Sequence, residues 1–421
     1  MKNYVLFGFA LILILRLPLL TNPRLVDDER VYATVAVEML EGGKPYEAAV
    51  ERKPPLLFYI YKSILQVGGK YNAYFLHFVA FLWTLTTMLG LFLIGKRLFN
   101  IEIGLIAAFI YGFYEPWLVY QNLAFNGEMM MNMPIIWGVF FAFFPNDLRY
   151  RILQKYPIPR HIRWELILSG SLFCCAFLIK QPAAVATVPI GLYLLSPIYR
   201  KQYNYSIQQS FFHAFLLTLG FFGMLGLMAL FLHQEGILEN AFFWTIQHHG
   251  TSAHGFLSDV YLKQGLGMFS VFSVVCFPLV YGAIYSMKNQ KFLQKNRAEY
   301  WALLGLIGVS IFAISSTYRF TPHYFIQLIL PLSLVAAPFF YQGRDFPNFG
   351  NLENLNRAPK WYQNKQFHKV FLALTFLGFS ISHWVGIAPY RADSESGKYI
   401  YKHSNPDDRI FAWGCSAHIY L

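Results

Sequence analysis

The chain has 421 residues, 56% of them hydrophobic and 13% charged, and a formal net charge of +12. Soluble domains hold roughly 45–50% apolar and about 25% charged residues, so this composition, with a mean hydropathy of +0.38, excludes an ordinary soluble protein. The positive charge does not point to nucleic acid, because the basic residues fall in short loops between apolar runs, where they report topology. Cys174, Cys175 and Cys276 lie inside apolar runs and Cys415 alone in a polar segment, so no disulfide framework follows. A polytopic membrane protein remains.

Apolar runs near the ~20 residues that cross a bilayer predict spans at 3–20, 71–94, 101–116, 127–144, 165–180, 182–199, 210–232, 265–286, 301–317, 324–341 and 369–388. That makes about eleven. The first resembles a signal peptide, but Arg16-Leu17-Pro18 stands where a small-residue cleavage site belongs, so it reads as a retained span. With the N-terminus cytoplasmic, the inner loops collect Lys96-Arg97, Arg149 to Arg163, Arg200-Lys201, Lys288 to Arg297 and Arg344 to Lys369. The outer connections hold only Lys180, Lys263 and Arg319. This positive-inside bias puts the first loop (21–70), the 233–264 loop and the tail after Pro389 outside. Residues 1–388 then form the transmembrane domain. Residues 389–421 begin a short external C-terminal α/β segment, with a strand near Asp407–Gly414, that reads as cut short at Leu421.

The first external loop carries an unusual density of charge. Asp28 to Gly43 reads as an interfacial helix capped by Asp27 or Asp28, with Glu29 in its first turn and Gly42-Gly43 at its end. Val31, Val35, Met39 and Leu40 recur at helical spacing and would form its buried face. Lys53-Pro54-Pro55 stops any helix, and Leu56 to Leu65 resumes as a second amphipathic piece. A carboxylate at a helix N-terminus outside the membrane is stabilised as an anion and could deprotonate a hydroxyl; Asp28 could equally be a cap and nothing more. Lys53 would suit a lipid phosphate, or could snorkel at a span boundary.

Glu128 stands at the mouth of the fourth apolar run and Lys180 between two others, both directed to the face of the acidic loop. Acids there are costly unless paired or functional, and a structural Glu128–Lys180 pair is the alternative to a site. Arg319 and His323 flank Phe320-Thr321-Pro322, where they could add positive charge to an anion site, with Tyr318 and Tyr324 as hydrogen-bond donors. His248, His249 and His254 have no strong metal-ligand spacing and only Asp259 as a nearby acid, so they read as loop histidines. There is no P-loop, dinucleotide fingerprint or nucleophile elbow, so an enzyme of this shape needs an activated substrate delivered in the membrane.

These residues in this order resemble the GT-C glycosyltransferases, and more narrowly the protein O-mannosyltransferase superfamily, which includes bacterial aminoarabinose transferases acting on lipid A. The resemblance rests on Asp28-Glu29-Arg30-Val31-Tyr32, Lys53-Pro54-Pro55-Leu56, Asn126-Gly127-Glu128, Lys180-Gln181-Pro182 and His323-Tyr324 before the span through Pro331. It implies an all-α GT-C bundle in a bacterial plasma membrane, with its active site on the periplasmic or external face. It implies a polyprenyl-phosphate sugar donor, inversion at the anomeric centre, Asp28 as base and Glu29 as its partner. Lys53 would hold the donor phosphate, helped by Arg319 and Lys180, and Tyr32, Glu128, His323 and Tyr324 would line the substrate site. The scheme requires no metal, although the acids would suit a divalent ion. The acceptor would be a lipid, glycan or protein. Two departures stand out: Gln181 follows Lys180 where related sequences often have glycine, and an extra aspartate, Asp27, precedes the motif.

The alternative is a transporter or flippase for a lipid-linked or anionic substrate. Such a protein places charges near mid-membrane on repeated halves, whereas these charges gather at span ends and no internal repeat is evident. An oligosaccharide ligase on diphosphate carriers would show more external arginines.

Overall fold

The computed structural model describes residues 2–21, 25, 28–116, 124–144, 163–248, 259–288, 296–316, 320–341 and 402–403. Among them the chain is helical, and the only β pairing is an isolated bridge between Pro45 and Ala49. The first half runs α1 (Lys2–Leu20), α2 (Asp28–Leu40), α3 (Pro55–Gly68), α4 (Ala73–Leu98), α5 (Ile101–Tyr114) and α6 (Gly127–Phe143). Then come α7 (Glu165–Ile179), a 3-10 turn (Gln181–Ala186), α8 (Thr187–Leu195), α9 (Pro197–Tyr203) and α10 (Ile207–Gln234). A short α11 (Leu238–Phe242) leads into a π turn (Phe243–Gln247). The last described part holds α12 (Asp259–Val275), α13 (Phe277–Lys288), α14 (Arg297–Ser316), a 3-10 turn (Pro322–Phe325) and α15 (Ile326–Phe340).

Local sequence explains the helix starts. Asn72, Asn100 and Asn126 each accept from the backbone N–H three residues on, opening α4, α5 and α6. Ser206 and Gln209 form a reciprocal capping box on α10.

Among the described residues, four helical stretches are long and apolar enough to cross a membrane: Ala73–Leu98, Ile207–Gln234, Arg297–Ser316 and Pro322–Phe340. Gly8–Leu20, Ile101–Tyr114, Gly127–Phe143 and Glu165–Ile179 are shorter apolar helices. Two expected spans are broken. The run 182–199 divides at Ser196 with a 56° bend, because Pro197 opens a new helix that Ser196 caps. The run 265–286 turns by 88° at Cys276, since Pro278 cannot donate to the carbonyl four residues back. The expected span at 369–388 and the C-terminal segment lie outside the described residues.

α15 is the buried centre, flanked by α5, α6, α13 and α14. The tightest pairing is α7 on α10: a Cβ at Gly170 would strike the Leu217 carbonyl, and one at Gly220 that of Ile167. A buried network crosses the bundle beneath the first loop. The Arg16 guanidinium pairs with Glu115, which also accepts from Thr84 (3.0 Å) and Tyr111 (2.8 Å). Asn132 then donates to Tyr111 Oη and to the Ile326 carbonyl, both at 3.2 Å.

The two interfacial helices take shape as α2 and α3, which pack on each other. At 13 and 14 residues neither is long enough to span. The buried face of α2 differs from the expected one. Glu29, Tyr32, Ala33, Val35, Ala36, Val37 and Met39 are buried, while Val31 and Leu40 are only half-buried. The small Ala33 and Ala36 let the helix seat closely, and Tyr32 reaches Phe58 and Tyr61 in edge contacts at 6.3 and 5.5 Å.

Candidate active site

The site assembles at one end of the bundle from five elements. Asp28 is the first residue of α2 and accepts from Tyr32 Oη at 3.3 Å. Burial, then the carboxylates of Asp28, Glu128 and Glu51, push the Tyr32 phenol well above its usual range, so it serves as a neutral donor.

Lys53 sits in the loop ahead of α3, which begins at Pro55 after an extended Pro54. Tyr46, itself at a positive φ of 68°, donates to the Lys53 carbonyl at 2.8 Å. Gln181 donates to the Arg52 carbonyl at 2.8 Å and to the Thr245 carbonyl at 3.1 Å. Gln181 thus ties the Lys53 loop to the π turn. Burial alone would lower the Lys53 pKa, but Asp28, Glu51 and Glu128 outweigh it and raise it above the ordinary lysine value.

Glu128 lies fully buried in the first turn of α6. Its Oε1 pairs with the Lys180 ammonium and lies 3.7 Å from His323 Nε2, while Oε2 is buried without a hydrogen-bond partner. Lys180 also stands over the Tyr324 ring, 4.5 Å from its centroid, a cation–π geometry. The ion pair foreseen between two span ends therefore exists, and it joins the Lys53 loop through shared charge. As a phosphate holder Lys180 starts from a position already neutralised by Glu128.

Glu29 is fully buried, accepts from the Phe125 N–H at 2.6 Å and faces His77 Nε2 at 3.1 Å. The structure thus brings together Asp28, Tyr32, Lys53, Glu128, Lys180, His323 and Tyr324, with Glu29 next to Asp28 on the first turn of α2. Arg319, Tyr318, Asp27, His249 and His254 lie outside the described residues. His248 packs on Phe243 and Trp244. No group of three or more His, Cys, Asp or Glu side chains stands ready to hold a metal among the described residues.

Two residues here escaped the sequence reading. Glu51 was two positions from Lys53 and so within reach of the motif. His77 sits in an apolar run 48 residues from its partner, and no local pattern marks it.

Residues 52–226 match the family model described as dolichyl-phosphate-mannose-protein mannosyltransferase. ArnT from Cupriavidus metallidurans in the apo state superposes with a TM-score of 0.61 at 11% identity, over 96% of this chain and 81% of that one. The same protein bound to undecaprenyl phosphate gives 0.59 at 14% identity, over 97% and 82%. The apo oligosaccharyltransferase of Archaeoglobus fulgidus gives 0.57 at 12% identity, over 96% of this chain and 58% of that one. No curated protein matches the chain. The fold is that of the GT-C glycosyltransferases, and the matched segment carries the resemblance to the protein O-mannosyltransferase superfamily. The chain is thus similar in fold to ArnT and to the oligosaccharyltransferase, is similar over 52–226 to the mannosyltransferase family, and among its described residues has four helices long and apolar enough to cross a membrane.

Proposed function

We propose that the protein moves a monosaccharide, hexosyl or pentosyl, from a polyprenyl-phosphate donor to a hydroxyl or phosphate of a lipid, glycan or protein acceptor. The reaction runs on the external face of a bacterial plasma membrane, with the N-terminus cytoplasmic. The observation that carries this reading is a helix-terminal carboxylate, Asp28, hydrogen-bonded by Tyr32, with Lys53 held in a loop by Tyr46 within the electrostatic reach of Asp28, Glu51 and Glu128. A lipid phosphate is an adequate leaving group once its charge is met, and Lys53 supplies that charge by direct electrostatics. Asp28 takes the proton as the acceptor attacks the anomeric carbon from the side opposite the phosphate, inverting it. Tyr32, Glu128, His323 and Tyr324 shape the sugar subsite, with Lys180 held there by its pairing with Glu128. Support also comes from a neighbour of the same fold that binds undecaprenyl phosphate.

The test has two arms. Purified protein in nanodiscs is presented with a panel of undecaprenyl-phosphate sugars, and envelope glycans of a deletion strain are compared with its parent by mass spectrometry. The expected result is saturable binding of at least one donor and loss of one sugar from one envelope component. No binding across the panel, with an unchanged envelope, would reject the proposal.

A further inference from the structure

Glu29 engages Phe125 through one oxygen and His77 through the other, two residues from distant parts of the chain. Oε1 accepts from the Phe125 N–H at 2.6 Å, and the Phe125 carbonyl accepts from Tyr61 Oη at 2.6 Å. The peptide groups of one residue are therefore gripped by α2 at the N–H and by α3 at the carbonyl. Phe125 directly precedes Asn126, the cap of α6, in whose first turn Glu128 lies. The Phe125 ring is fixed as well, 5.7 Å from Tyr61 and 5.5 Å from Trp83. Three chain segments that carry Asp28, Lys53 and Glu128 thus meet at a single residue.

His77 on α4 completes this clasp. It is fully buried, its Nε2 is 3.1 Å from Glu29 Oε2, and its Nδ1 has no hydrogen-bond partner. Nε2 is the ring nitrogen within hydrogen-bond reach of Glu29, and it can donate to that carboxylate. Losing that donor removes one of the contacts that fix the orientation of the buried carboxylate, and with it part of the hold on the Phe125 N–H.

We propose that His77 is a positioning residue: through Glu29 and the Phe125 peptide it sets the spacing of Asp28, Lys53 and Glu128. The inference rests on the glycosyltransferase reading above. A displacement of about 1 Å at reacting groups costs about 10²-fold in rate, so the effect belongs in kcat.

The experiment compares wild type, His77→Leu, His77→Gln and Tyr61→Phe in nanodiscs. Binding of undecaprenyl phosphate is measured, together with kcat and KM on a polyprenyl-phosphate sugar that the wild type turns over. His77→Leu is expected to lose about 10²-fold in kcat per folded molecule with donor KM little changed. His77→Gln, whose amide can donate to Glu29, is expected to recover most of that loss. A kcat for His77→Leu within about twofold of wild type, or no recovery in folded His77→Gln, overturns the proposal. Should His77→Leu not fold, Tyr61→Phe decides, since it removes only the hydroxyl on the other side of the clasp; an undiminished kcat there also overturns it. A wild type that neither binds undecaprenyl phosphate nor transfers any sugar sinks the donor reading itself, and the inference with it.

Discussion

A lysine followed by two prolines cannot be drawn into the helix that starts behind it, so Lys53 stays at the loop end where its backbone carbonyl is held by Tyr46. Its ammonium faces carboxylates, which keep it protonated above the ordinary lysine range. The sign follows: a raised pKa keeps the charge through neutral pH and loses it only as the pH climbs past that raised value. A polyprenyl-phosphate sugar is a phosphodiester with one fixed negative charge. Donor affinity carried by Lys53 should therefore stay flat from about pH 6 to about pH 9. Lys53→Ala should weaken donor binding and lower transfer by about 10²–10³-fold; unchanged binding and turnover would leave Lys53 a snorkelling residue. Sequence showed Asp28 and Lys53 as residues of interest because D-E-x-x-Y and K-P-P-L are local patterns. It did not show which way Glu29 points, because its partners, His77 and the Phe125 N–H, lie 48 and 96 residues away.

At the scale of elements, the spans were legible where apolar length alone decides, as in α4, α10 and α14. Breaks were harder. Pro278 and Pro197 were visible signals, but hydropathy continues through both, so the reading ran two helices into one. The Arg16–Glu115 pair was invisible for a related reason. Arg16 and Glu115 each look like the charged end of a span until the fold sets them together with Thr84 and Tyr111. Removing one partner of a buried pair leaves an uncompensated charge and costs about 3–5 kcal/mol. Glu115→Ala should therefore be strongly destabilised in detergent unfolding, and Arg16→Met combined with Glu115→Leu should be less so than Glu115→Ala alone. A double variant as unstable as the sum of the singles would show that the pair is not coupled. The α7–α10 contact makes a second demand: Gly220→Leu should disrupt packing, since the Ile167 carbonyl already fills the space. Cysteine cross-linking across α7 and α10 would register the separation, and unaltered cross-linking would argue against that close approach.

For the whole molecule, the distribution of basic residues leads to the expectation that the acids and Lys53 share one face, and in the fold Asp28, Lys53, Glu128 and Lys180 lie within electrostatic reach of one another. Glu128 pairs with Lys180, Lys53 is set among Asp28, Glu51 and Glu128, and α2 is seated by the clasp on Phe125. The central claim, that Asp28 is the base of a transfer from a polyprenyl phosphate, is reached most directly by one comparison. Asp28→Asn and wild type are assayed side by side for donor binding and for sugar transfer. The account predicts donor binding retained and transfer reduced by about 10²–10⁴-fold, and transfer at the wild-type rate by folded Asp28→Asn enzyme would contradict it.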